Sequence, residues 1–173
     1  SVSNQKGGVG KTTTTINLAT AMVSFNKKIL IVDLDPQGHA STGLGIDLKA
    51  RDKNIYKVMT SQTEVNDCVF DTIIPNLKII PSTIDLSAVE IEFSNIPKRE
   101  LVLKKSLENL TIDFDYVLID CPPSLGLLTV NAMAASDEVI VPLQCEFYAL
   151  EGLSQLLKTM EIIKGNLNTK LCL

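Results

Sequence analysis

Asn4 to Thr15 reads N-Q-K-G-G-V-G-K-T-T-T-T, and Gly7, Gly8 and Gly10 within it decide how the surrounding chain must fold. Glycine tolerates the positive φ that lets consecutive N–H groups point inward at one anion, and Lys11 adds a charge beside them. Thr12 and Thr13 open a helix whose dipole turns its positive end to the same point. The stretch is a phosphate cradle, and such a cradle needs a strand feeding it and a helix leaving it. A glycine-rich turn with surface lysines is the bland alternative, and the strand and helix patterns on either side count against it.

Working outward, Ser1 to Ser3 reads as the tail of a first strand. From Thr12 to about Phe25 the apolar residues Ile16, Leu18, Ala19, Met22 and Val23 recur at helical spacing. Ile29 to Val32 is a wholly apolar run ending at Asp33, as expected of a parallel strand covered on both faces. Leu34 to Gly45 is turn-rich and reads as a loop, and a short helix is expected around Ile55 to Met59. Short strands are expected at Val69 to Ile74 and Leu77 to Ile80. Leu86 to Phe93 reads as helical, and a further helix after Pro97 places Leu103, Leu107 and Leu110 on one face. Tyr116 to Ile119 is the next apolar strand, ending in Asp120. A helix from about Leu125 to Ala135, a strand at Glu138 to Pro142 and a helix from about Ala149 to Lys164 follow, the last with Leu150, Leu153, Leu157 and Met160 in register as core or part of a dimer face. Thr169 to Leu173 resembles the start of another strand.

Strands alternating with helices imply an α/β fold with a doubly wound, mostly parallel sheet and right-handed crossovers. Ligand then belongs at the carboxyl ends of the strands, where the glycine loop, Asp33, Asp35 and Asp120 all fall. The expectation is one domain over residues 1–173, beginning inside its first strand and stopping early.

Hydrolysis of a γ-phosphoryl group needs cations on the phosphate oxygens, a held metal and a group orienting the attacking water. Lys11 supplies the charge, the Thr12 hydroxyl can ligate Mg²⁺, and Asp120 can hold a metal-bound water. Asp33 and Asp35 remain for the nucleophilic water, unless an aspartate at a strand's end merely caps a turn.

The cradle matches the P-loop pattern G-x-x-x-x-G-K-[ST] at Gly10, Lys11 and Thr12 but carries Gln5 in place of the first glycine. With Lys6 ahead of the glycines, K-G-G-V-G-K-T-T resembles the deviant Walker A motif of the ParA/MinD group of dimerising P-loop NTPases. The run D-L-D-P-Q-G from Asp33 to Gly38 is similar to switch I of ParA and Soj partition ATPases, D-C-P-P-S-L-G from Asp120 to Gly126 to their switch II, and P-L-Q-C-E-F-Y-A-L-E-G-L from Pro142 to Leu153 to the strand and helix that follow.

That resemblance implies a switch driven by ATP and Mg²⁺. Its nucleotide contacts would be Lys6, Gly7, Gly8, Val9, Gly10, Lys11, Thr12 and Thr13, its metal ligands Thr12, Asp35 and Asp120, and its catalytic residues Lys6, Lys11, Asp35 and Asp120. Asp35 would position the nucleophile while Asp33 shapes the loop. Each Lys6 would reach the other subunit's nucleotide in an ATP-dependent homodimer, and slow hydrolysis would reopen it. The resemblance further implies a ParB-like stimulating partner, nonspecific DNA bound mostly through parts beyond Leu173, and a cytoplasmic, nucleoid-associated protein in chromosome or plasmid partition. Other readings are a MinD-like membrane-cycling division-site ATPase, an ATP-dependent ligase or kinase, and a nonhydrolysing nucleotide-binding module.

At 173 residues and 45% hydrophobic content the chain can bury the core of one domain. A net charge of -4 argues against a nucleic-acid clamp by bulk electrostatics. The four cysteines, Cys68, Cys121, Cys145 and Cys172, form no C-x-x-C pair and read as small buried apolar residues of a reducing cytoplasm. His39 has no ligand pattern around it and reads as a solvated loop residue. No apolar run is long enough to span a bilayer and no leader precedes the cradle, so no membrane partner is expected.

Overall fold

Ile29–Asp33 (β1) is buried at every position, as a central strand must be when helices cover both faces of a parallel sheet. The computed structural model describes residues 1–144 and 149–173. Among these, Phe70–Asp71 (β2), Leu77–Ile80 (β3) and Tyr116–Asp120 (β4) complete a four-stranded sheet in the order β2-β3-β1-β4. β1 runs parallel to β3, with Ile31 opposite Ile79, and parallel to β4, with Asp33 opposite Asp120. β2 is an antiparallel edge strand, Phe70 facing Ile79. The β1–β4 register sets two aspartates side by side at one rim.

The helices are Lys11–Ser24 (α1), His39–Gly43 (α2), Ile55–Met59 (α3), Val89–Glu92 (α4), Val102–Leu107 (α5), Leu127–Ala135 (α6) and Ala149–Asn166 (α7). Successive side chains of a strand point to opposite faces, and β1 divides accordingly. Leu30 and Val32 pack with Ile55, Val58, Val89, Leu103, Leu128 and Ala132 from α3 to α6. Ile29 and Ile31 pack with Ala19 of α1 and Ala40 of α2. Helices on both faces make the sheet doubly wound, as the sequence implies. A third cluster joins Met133 of α6 to Leu156, Met160 and Ile163 of α7.

Several expectations need correction. Leu34 to Gly45 is not all loop, because α2 sits inside it; the helix starts from Gly38, and its Ser41 N–H donates to the buried Asp33 carboxylate, a tertiary feature that periodicity does not carry. His39 is exposed as expected, but it is the first residue of that helix. The strand expected over Val69 to Ile74 shrinks to Phe70–Asp71. The expected strands at Ser1 to Ser3, Glu138 to Pro142 and Thr169 to Leu173 are single bridges, joining Val2 to Asp120 and to Ile140, and Glu138 to Cys172. The buried stripe of α7 runs through Leu156, Met160 and Ile163, with Leu157 only partly buried; the side chain of Leu150 lies outside the described residues. Leu103 is buried, whereas Leu107 and Leu110 are partly buried at the edge of the same cluster. Cys68 and Cys121 are buried, but Cys172 is exposed; Cys145 lies outside the described residues, as does part of the Pro142 to Leu153 match. Among the described residues no helix is long and apolar enough to cross a membrane.

Candidate nucleotide site

Gly8 at φ 74° and Gly10 at φ 91° hold the left-handed backbone that L side chains avoid, and Gly10 is the N-cap of α1. A Cβ added at Gly7, Gly8 or Gly10 would meet nothing within 4 Å, so the loop encloses open space. Asn4 braces the loop from beneath: its Oδ1 accepts from the Lys6 N–H at 3.0 Å while its Nδ2 donates to Pro142 O at 2.7 Å. Val9 is buried, whereas Gly7, Gly8 and Thr13 are exposed.

Lys11 is 6% exposed and donates from Nζ to the carbonyl of Lys6 at 3.0 Å. Burial pulls its ammonium below the ordinary 10.5, and the charges of Asp120 and Asp35 oppose that shift, which places both carboxylates within electrostatic reach of the lysine. A largely buried cation held between carboxylates and an open amide loop is poised for an anion.

Asp120 has no exposed surface, and its Oδ2 is buried without a hydrogen-bond partner among the described residues. Thr15 Oγ1 shares its proton between Lys11 O at 3.0 Å and Asp120 Oδ1 at 3.2 Å. Burial pushes the Asp120 carboxyl up to about 7, with Asp33 and Asp35 adding in the same direction and the Thr12 and Thr15 hydrogen bonds opposing. An orphaned carboxylate oxygen is costly and marks a place where a cation or an ordered water belongs. Among the described residues no three His, Cys, Asp or Glu side chains form a metal cluster. Thr12 and Asp120 alone suit Mg²⁺, which takes one or two protein oxygens and fills its shell with water and phosphate.

Asp33 is wholly buried, its Oδ2 accepting from Ser41 N at 2.8 Å and Ser41 Oγ at 2.6 Å, its Oδ1 from Asp35 N at 3.3 Å. Burial raises its carboxyl above 3.8, against the pull of those hydrogen bonds. Its oxygens thus face inward to the loop. Asp35 is 7% exposed and Oδ1 accepts from Gln37 N at 3.0 Å, turning the Pro36 corner.

The structure therefore gathers Lys6, Lys11, Thr12, Asp35 and Asp120 at one rim. Reading the sequence misses Asn4, Thr15, Ser41 and Arg51, each an ordinary loop or helix residue until its partner is known. A threonine at the fourth position after the cradle lysine was the one available signal, since α-helical spacing returns it to the face of Lys11.

A family model described as an AAA domain matches residues 1–173. The sporulation initiation inhibitor protein Soj of Bacillus subtilis is 49% identical over 98% of the chain and 67% of its own length. The chromosome partitioning protein ParA of Caulobacter vibrioides is 51% identical over 98% of the chain and 64% of its own. The chain belongs to the ParA/Soj family of P-loop ATPases. It spans about two thirds of the length of these curated relatives. A solved structure described as cobyrinic acid a,c-diamide synthase from Mycobacterium smegmatis with bound ADP and magnesium superposes at TM-score 0.94 with 40% identity, covering 99% of this chain and 69% of that one. A plasmid partition protein from Borrelia burgdorferi superposes at 0.85 with 29% identity, covering 99% and 74%. The ParA/Soj fold thus extends over the whole described sheet.

Proposed function

We propose that residues 1–173 act as one ATPase domain that binds Mg·ATP, hydrolyses it slowly and uses it to close a homodimer in chromosome or plasmid partition. The observation that carries this reading is the meeting at one rim of a buried lysine, an open amide loop and a buried carboxylate oxygen with no partner among the described residues.

The amides of the Gly7 to Thr13 loop and Lys11 would grip the β- and γ-phosphates. Thr12 and Asp120 would hold Mg²⁺, with Asp35 beside them. Bound Mg²⁺ supplies neutralisation of charge on the phosphate oxygens. Asp35 would orient the attacking water, and Asp33 keeps the loop that carries it in shape through Ser41. Lys6, whose carbonyl is already spent on Lys11, would turn its side chain to the nucleotide of the partner subunit. A ParB-like protein would stimulate turnover, and the dimer would hold DNA without sequence preference in the cytoplasm, on the nucleoid.

The test is ATP turnover by the full-length protein with and without DNA and a ParB-like partner. Stimulation by both is the expected outcome, and failure to take up Mg·ATP in a direct titration would sink the reading. The synthase neighbour at 40% identity favours one second reading, in which an acceptor and not water receives the phosphoryl group. Phosphate released at the same rate without any acceptor would exclude it.

A further inference from the structure

We infer that Arg51 is a positioning residue for the hydrolysis proposed above, on which this inference rests: it clamps α2 and the turn before it to the loop after β3, so that Asp35 faces the cradle. Arg51 is 4% exposed, and all of its hydrogen bonds go to carbonyls and a hydroxyl of that region. Nε donates to Ile46 O at 3.2 Å; Nη1 to Gly38 O at 3.3 Å and Ser82 O at 3.2 Å; Nη2 to Thr42 Oγ1 at 2.8 Å and Ile46 O at 2.7 Å.

A buried guanidinium is an expensive way to fill space, since its desolvation must be offset by the bonds it makes. What it offers that an apolar side chain does not is a rigid fork of donors reaching several acceptors at once. Three of those acceptors, on Gly38, Thr42 and Ile46, belong to the segment that follows Asp35, and the fourth, on Ser82, belongs to the loop leaving β3. The turn is built around the fork: Gly38 sits at φ 62°, and a Cβ there would lie 2.5 Å from Arg51 Nη1 and 3.1 Å from Ser82 O. Gly38 N in turn donates to Asp35 O at 2.9 Å. The same two segments are tied again through Ser82, whose N–H donates to Ser41 Oγ at 3.0 Å while Ser41 donates to Asp33. The Asp35 turn is thus held at two points: Asp33 accepts from Asp35 N at its start, and Arg51 grips Gly38 O at its end.

The experiment compares wild type with Arg51→Lys, which keeps the charge and loses the fork, and with Thr42→Val, which removes one acceptor, all in the full-length protein. Steady-state kinetics and amide exchange are both read. A merely structural arginine would lower the melting temperature and leave kcat alone. The expected result is a kcat about tenfold lower for Arg51→Lys with KM for ATP nearly unchanged. Exchange should quicken over residues 36–46 and stay unchanged in α1. Thr42→Val should move both readouts in the same direction by less. Wild-type kcat in Arg51→Lys, or exchange that quickens uniformly, overturns the role of Arg51 alone. A wild type inert towards ATP overturns the proposed hydrolysis and this role together.

Discussion

Asp120 ends its strand with no exposed surface, and burial lifts its carboxyl from 3.8 to about 7. The folded chain then binds this proton more tightly than the unfolded chain does, so between about pH 4 and about pH 7 unfolding releases a proton and stability falls as pH rises. Thermal melts of nucleotide-free protein should show that decline and level off above the window. Asp120→Asn should remove most of the slope, leaving the smaller part that belongs to Asp33, whose carboxyl burial also raises. A wild-type profile flat over the window would contradict the assignment. Asp35 asks for a different measurement, because its proposed task is orientation and not binding. In Asp35→Ala, isothermal titration should find Mg·ATP affinity within a few-fold of wild type while turnover drops about a hundredfold.

Helix α6 shows how an element downstream of the site is held in register. Its first N–H, on Leu127, donates to Glu90 Oε1 at 3.0 Å, satisfying one of the four donors a helix start leaves unpaired. A Cβ at Gly126 would meet only the carboxylate end of Glu90, an exposed side chain able to turn aside. Asn131, wholly buried, accepts from Leu103 N at 3.1 Å and donates to Arg99 O at 2.9 Å and Leu127 O at 3.0 Å, so α6 is pinned to the start of α5. Asn131→Leu would leave the Leu103 N–H buried and unpaired, at a cost of about 1–3 kcal/mol. Urea unfolding should show a lower midpoint at unchanged slope; an unchanged midpoint would mean that the bonds contribute nothing net. The segment from Asp120 to Gly126 lies between the rim and this pinned helix, so any movement of it must be taken up by the segment itself.

The molecule as a whole has apolar clusters on both faces of its sheet and a third where α6 meets α7. Ligand that binds only the folded state stabilises it by mass action, about 2.7 kcal/mol at a hundred times Kd. If Mg·ATP also closes a two-fold dimer, light scattering should find wild type dimeric with Mg·ATP and monomeric without it. Lys6→Ala should stay monomeric under both conditions while still binding nucleotide. Normal dimers and normal turnover in that variant would remove Lys6 from the subunit interface.

Local chemistry was enough to read much of this from residues in order. Three glycines and a lysine at close spacing announce a phosphate loop because few other arrangements aim several N–H groups at one point, and the apolar runs Ile29 to Val32 and Tyr116 to Ile119 announce parallel strands, the first buried throughout and the second leaving Tyr116 and Val117 exposed. Helices α1 and α3 and strands β1, β3 and β4 stand where spacing put them. Helix α2 does not, because it lies in a glycine-rich, turn-like stretch and its third residue, Ser41, is tied to the buried Asp33 carboxylate, a contact that only the fold brings about. Arg51 was unreadable for the same reason: its acceptors come from two segments of the chain, and one of them, Ser82, arrives through the pairing of β1 with β3. Residue type and spacing specify which groups can bind phosphate; the register of Asp33 against Asp120 and the packing around a buried guanidinium specify where those groups stand, since contacts between distant segments exist only once the sheet has formed.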